Sequence, residues 1–284
     1  MKQIEQGIYF EDSYSGVTVG AVVASHGIIF IDAPLRNEDA RTWRSALINL
    51  ATNTNRILVN LDHHPDRTLG ARAFETTIVA HQKTANVFRN LPSVFKGQVI
   101  DSGAEWEFSD DVVGARWAAP DITFTDQLFF HWGLPLVQLE HHPGPSSGSI
   151  WAIMPEMKVV FVGDTILPNQ PPFLAAADLE AWIQSLDVLI SSYKDYSIVS
   201  GRGGLVDIKG VREQRKYLNK ILRSLIRLAE KDALAEETEA LIPKLLDFPD
   251  LTSDRLEHYF QRLRHGLYHY YSLHYRPLEL SNED

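Results

Sequence analysis

The 284-residue chain contains no cysteine. Disulfides, thiolate metal ligands and a cysteine nucleophile are therefore excluded, and any bound metal must be held by His, Asp, Glu or backbone oxygen. No apolar run approaches the length of a membrane span. The first residues, Met1-Lys2-Gln3-Ile4-Glu5-Gln6, lack the apolar core of a signal peptide. The chain thus reads as cytoplasmic and unattached to membrane. Positive charge is in deficit: 27 Lys and Arg against 37 Asp and Glu give a net charge of −10. Like charge repels nucleic acid and anionic membranes, so neither is expected as a partner. Internal repeats and low-complexity linkers are also missing. What remains, 44% hydrophobic and 23% charged residues, suits a soluble globular protein long enough to bury a large core.

The pattern begins with short β-type runs. Gly7–Phe10, Val17–Ala24 and Gly27–Ile31 are rich in Val, Ile and aromatics and are separated by Gly, Ser and Asp. Asn37–Leu50 has helical spacing at Trp43, Leu47 and Leu50, with Asn37 as the expected cap. Strands are expected at Arg56–Asn60, Thr76–Ala80, Gln127–Trp132, Leu134–Glu140, Ser149–Met154, Val159–Val162 and Ile198–Val199. Helices are expected at Thr68–Phe74, Asp178–Ser191, Ile208–Asp232, Ala235–Leu246 and Ser253–Tyr271. Strands, then strands with helices, then helices predict a layered α/β body over residues 1–205. A helical C-terminal extension over residues 206–284 would pack on that body. This tail could cap a pocket or form a homodimer.

The densest chemistry lies at Asn60-Leu61-Asp62-His63-His64-Pro65-Asp66-Arg67-Thr68-Leu69-Gly70. Asp62, His64 and Asp66 alternate, so an extended chain would aim all three to one side. Two carboxylates and an imidazole converging on one point can hold a divalent metal. Three further segments follow. They are His141-His142-Pro143-Gly144-Pro145-Ser146-Ser147-Gly148-Ser149-Ile150, Phe161-Val162-Gly163-Asp164-Thr165 and Ser200-Gly201-Arg202-Gly203.

In this order the four segments resemble the metallo-β-lactamase superfamily. They stand where that family has H-x-H-x-D-H, P-G-H-[ST]-x-G-S, G-D-[ST] and G-H-G. The resemblance covers about residues 5–205 and implies a four-layer αββα sandwich with the site between its two sheets. It also implies that the family's first metal site falls on Asp62, His64 and Pro145, and the second on Asp66, Arg67 and Arg202. Asp164 stands at the bridging position. Two of these losses are to Arg, which is charged at any accessible pH. Arg67 and Arg202 are expected to stand in for a second metal by pairing with carboxylates.

Two arrangements of the first site are open. One divalent ion (Zn, Mn or Fe) could be held by Asp62, His64 and Asp164, with His141 or His142 as a further ligand and Asp66 as base. The chain would then hydrolyse an ester, thioester, lactone or phosphoester, with Arg67 and Arg202 orienting an anionic group. Otherwise Asp62 pairs with Arg67 or Arg202 and no metal binds. The chain would then be a non-catalytic pseudoenzyme that holds an anionic small molecule through Arg67 and Arg202. The remaining imidazoles have plainer roles: His63 pointing away from the site in a supporting or structural role, His81 a pocket wall or surface residue, His26 on the surface, His131 partly buried in a sheet. His265 and His269 belong to an aromatic helix face. Phe173, after Pro171 and Pro172, is expected to wall a pocket.

Overall fold

A computed structural model describes residues 1–51, 53–98, 100–248 and 251–276. Its elements run β1 (Lys2–Glu5), β2 (Ile8–Glu11), β3 (Val19–Ala24), β4 (Gly27–Ile31), α1 (Asn37–Ile48), β5 (Arg56–Val59), α2 (Pro65–Thr68), β6 (Thr77–His81), α3 (Gln82–Asn90) and β7 (Ile122–Phe124). The second half has β8 (Gln127–Phe130), β9 (Val137–His141), β10 (Ile150–Met154), β11 (Val159–Phe161), α4 (Leu179–Ser192), β12 (Ser197–Val199), β13 (Leu205–Val206), α5 (Ile208–Ala229), α6 (Ile242–Leu245) and α7 (Ser253–Tyr275). The first seven strands form one sheet in chain order, and the other six form a second in the order β13-β12-β11-β10-β9-β8. β1 to β4 are an antiparallel meander, and β4 to β7 run parallel.

Strand alternation builds the layers. In β10, Ile150, Ala152 and Met154 join the core between the sheets, while Trp151 and Ile153 face the helices. In β4, Ile29 and Ile31 point between the sheets, and Ile28 and Phe30 pack with Trp43 and Leu47 of α1. Each large apolar side chain buried in this way contributes ~1.5–3 kcal/mol. The result is helix, sheet, sheet, helix. The last layer joins Trp182 and Leu186 of α4 to Val211, Leu218 and Ile221 of α5 and to Leu263 and Tyr271 of α7. Among the described residues, no helix is long and apolar enough to cross a membrane.

Local details differ from the sequence expectations. Asn37 does not cap α1. The residue before the helix is Arg36, with no side-chain cap, and Glu38 and Asp39 face the positive end of the helix. Thr68–Phe74 is not one helix but the end of α2 followed by a 3-10 turn, Leu69–Phe74. Ala235–Leu241 is likewise 3-10. His131 lies just past β8 and is exposed. The sequence reading also missed β1 and β7, which are only three or four residues long, and α3, whose buried face holds only Thr84, Ala85 and Phe88.

Candidate functional site

The site forms where strands of both sheets end. Asp32 follows β4, Asn60 to Asp62 follow β5, Asp164 follows β11, and Arg202 lies just beyond β12. The chain does not stay extended through the first motif. It turns into α2 at Pro65, and the His64 side chain caps that helix by accepting from the Asp66 amide at 3.3 Å. Asp66 is therefore presented from a helical turn rather than from a strand.

Arg67 is fully buried. Its Nη1 donates to Asp32 Oδ2 at 2.7 Å, and its Nη2 donates to Asp164 Oδ1. Its Nε lies 3.1 Å from Asp62 Oδ1. Arg202 donates from Nη1 to Asp66 Oδ2 at 2.8 Å, from Nε to Asp164 Oδ1 at 3.3 Å, and from Nη2 to Asp164 Oδ2 at 3.3 Å. Asp66 also accepts the backbone N–H groups of Glu105 and Trp106, at 3.1 and 2.9 Å. Asp32 also accepts from the Leu61 amide and Asp62 from the His64 amide, each at 2.8 Å. Charged hydrogen bonds of this kind are stronger than neutral ones.

These contacts set the protonation states. Burial alone would raise the Asp164 carboxyl, but the charges of Arg202 and Arg67 override it and hold it well below the usual range. Asp66 is lowered in the same way: burial opposes ionisation and Arg202 outweighs it. Asp32 goes the other way, its burial pushing it up to about 7 against the opposing charge of Arg67. Burial favours loss of the proton from Arg67, yet Asp164, Asp62 and Asp32 hold it more firmly charged than a free arginine.

His64 sits at the edge of this network. Arg202 Nη2 lies 3.3 Å from its Nδ1, and since a guanidinium only donates, Nδ1 must accept. The proton of the neutral ring is then on Nε2. Burial brings its pKa down to about 4, so the ring is neutral at pH 7. Its face meets Phe173 at 4.4 Å. Above the network opens a cavity of about 180 Å³, bordered by Asp62, His64, Asp164, Phe173, Trp182 and Arg262. His63, expected to point away from the site, also borders it, with Nδ1 buried and without a hydrogen-bond partner among the described residues.

His141 and His142 turn elsewhere. His141 Nε2 donates to Ser147 O at 2.9 Å, and its ring stacks on His81 at 3.9 Å. His142 Nε2 meets Glu140 Oε2 at 3.0 Å, and its ring stacks on Trp151 at 3.6 Å. The structure brings Asp62, His64, Asp66, Arg67, Asp164 and Arg202 together and leaves these two imidazoles outside that contact network. It adds three residues that the motifs did not single out: Asp32, Glu105 and Arg262. Asp32 had one faint signal, a charged residue closing an otherwise apolar strand.

A divalent metal does not fit this arrangement. Both Asp164 oxygens and His64 Nδ1 are already engaged by guanidinium nitrogens. A cation placed among them would meet two fixed positive charges in a buried, low-dielectric setting. Among the described residues, no group of three His, Asp or Glu side chains is disposed to hold an ion.

Residues 62–200 match the profile of the metallo-beta-lactamase superfamily. No curated protein matches the sequence. Among solved structures, a metallo-beta-lactamase from Pontibacter korlensis is similar at 18% identity and a TM-score of 0.62, covering 77% of this chain and 97% of its own. The stereoselective inverting sec-alkylsulfatase Pisa1 from Pseudomonas sp. is similar at 13% identity and a TM-score of 0.67, covering 96% of this chain. This chain spans 49% of that sulfatase's length. At such identities these structures establish the fold. A superfamily of β-lactamases and sulfatases supports a hydrolase-like function at that level of description. The profile match, the sheet order and the site position support the metallo-beta-lactamase superfamily for this chain.

Proposed function

We propose that this protein keeps the superfamily's fold and pocket but has an arginine-bridged centre in place of a metal centre. In this reading the cavity binds an anionic small molecule without metal-dependent hydrolysis. The observation that carries it is the engagement of Asp164 and His64 Nδ1 by Arg67 and Arg202. A guanidinium supplies positive charge and directional donors, but it cannot bring a bound water near neutrality as a metal does. In this role Arg67 and Arg202 brace the cavity floor rather than contact the ligand, because their donors are already directed at carboxylates.

The test is metal uptake. Purified protein is incubated with Zn, Mn or Fe(II), passed through a desalting column and assayed for metal. The expected result is no stoichiometric metal, and no change on Asp164→Ala. One equivalent per chain that is lost in both His64→Ala and Asp164→Ala would overturn the reading. It would restore one-metal hydrolysis of an ester, thioester, lactone or phosphoester.

A further inference from the structure

The cavity wall supplied by α7 contains a charge that the centre does not use. Arg262 is 1% exposed. Its partners are all neutral: Nε and Nη2 donate to Gly103 O at 3.0 and 2.7 Å, and Nη1 donates to Gln170 Oε1 at 2.9 Å and Pro171 O at 3.2 Å. These contacts engage four of the five guanidinium N–H groups and leave one on Nη2. The guanidinium lies 4.0 Å from the centroid of the Phe173 ring, and Arg202 lies 4.6 Å from the same ring. Nearby carboxylates have other partners. Asp66 and Asp164 pair with Arg202, and Glu105 pairs with Arg255 at 2.6 Å. Among the described residues Arg262 has no ion pair, although buried arginines ordinarily have one. Burial beside Arg202 brings it down to about 10, a sign that the fold bears this charge at a cost.

The rest of the wall is largely apolar. Trp106, Leu174 and Trp182 border the cavity, with Pro145 and Ser146 beside them. At about 180 Å³ the space is below the ~300–1,000 Å³ typical of sites for drug-sized ligands. We propose that Arg262 is the ligand-reading cation of this pocket, and that the ligand is a small carboxylate with a compact apolar body. Its carboxylate meets the remaining Nη2 hydrogen and supplies the counter-charge, while its body lies between the tryptophans and Leu174. This rests on the anion-binding reading above and moves recognition from Arg67 and Arg202 to the C-terminal helix.

The probes are benzoate and its neutral analogue benzamide, titrated calorimetrically into the full chain at pH 7. The unsubstituted protein should bind benzoate at least tenfold more tightly than benzamide. Arg262→Gln, which removes the charge but keeps amide donors for Gly103, should lose that discrimination, and Arg262→Lys should retain part of it. Equal benzoate affinity in the unsubstituted and Arg262→Gln proteins would overturn the role of Arg262 while leaving anion binding in place. No preference for benzoate in the unsubstituted protein would overturn both. If Arg262→Gln does not fold, Arg262→Lys, which removes the Nη2 hydrogen, carries the test: a benzoate preference undiminished there would overturn the role of Arg262.

Discussion

Arg202 meets the carboxylate of Asp164 edge to edge, with Nε 3.3 Å from Oδ1 and Nη2 3.3 Å from Oδ2. Arg67 takes Oδ1 as well. One buried carboxylate thus joins two guanidiniums where the superfamily has its bridging aspartate. Replacing one partner leaves the others buried without compensation, which is costlier than the net strength of any single pair.

Arg67→Met should therefore destabilise the protein strongly. Asp32, Asp62 and Asp164 would all lose a cation within 3.1 Å or less. The expected loss is about 3–5 kcal/mol in urea unfolding. A loss below about 1 kcal/mol would mean that the network is not coupled as its geometry indicates.

Restoring histidines at the exchanged positions should rebuild a metal centre. The Arg67→His, Arg202→His double variant removes two cations and adds two imidazoles beside Asp66 and Asp164. Zn should bind it in calorimetry while leaving the unsubstituted protein unbound. Failure of the folded double variant to take up Zn would argue against charge replacement as the reason for the two arginines.

Acid should weaken the fold partly through His64. Its folded pKa of about 4 lies below the ordinary 6.5, so the unfolded chain takes up the proton first. This contribution is fully present above pH 6.5 and is lost as pH falls toward 4. His64→Asn keeps an acceptor for the Asp66 amide and cannot titrate. Unfolding free energy measured from pH 7 to pH 4 should therefore fall less in the variant, by about 3 kcal/mol. Parallel curves for the two proteins would contradict the assignment.

Gly201 is a packing requirement as much as a motif residue. A Cβ there would lie 2.5 Å from Gly163 C, 2.6 Å from Asp164 Oδ1 and 2.7 Å from Arg67 Nη2. Gly201→Ala should cost ~1–3 kcal/mol by overpacking. A thermal midpoint equal to that of the unsubstituted protein would show that the loop can move away.

Much was legible without coordinates. Gly27–Ile31 was readable as a continuous run of β-branched and aromatic residues, since both of its faces are buried, and the helix starting at Ile208 from its three-to-four-residue repeat, since one face is buried. The motifs placed Asp62, His64, Asp66, Arg67, Asp164 and Arg202 at one site because each follows a strand, and strand ends of adjacent sheets meet. The segment from α3 to β7 was not legible, since α3 buries only Thr84, Ala85 and Phe88 and the elements after it are three or four residues long.

The sequence by itself pointed to the superfamily and determined the layered α/β architecture and the arginines at two of the motif positions. Residue identity is enough there, since no packing changes the charge or donor count of a guanidinium. Only the tertiary structure decided which carboxylate each arginine meets and that His64 turns its Nδ1 to Arg202. It also decided that His141 and His142 stack away from the centre, and that Arg262, about two hundred residues beyond the first motif, borders the same cavity. Those outcomes depend on distances of a few ångströms between segments remote in the chain. Coulomb and hydrogen-bond energies vary steeply over that range, and no local pattern encodes it.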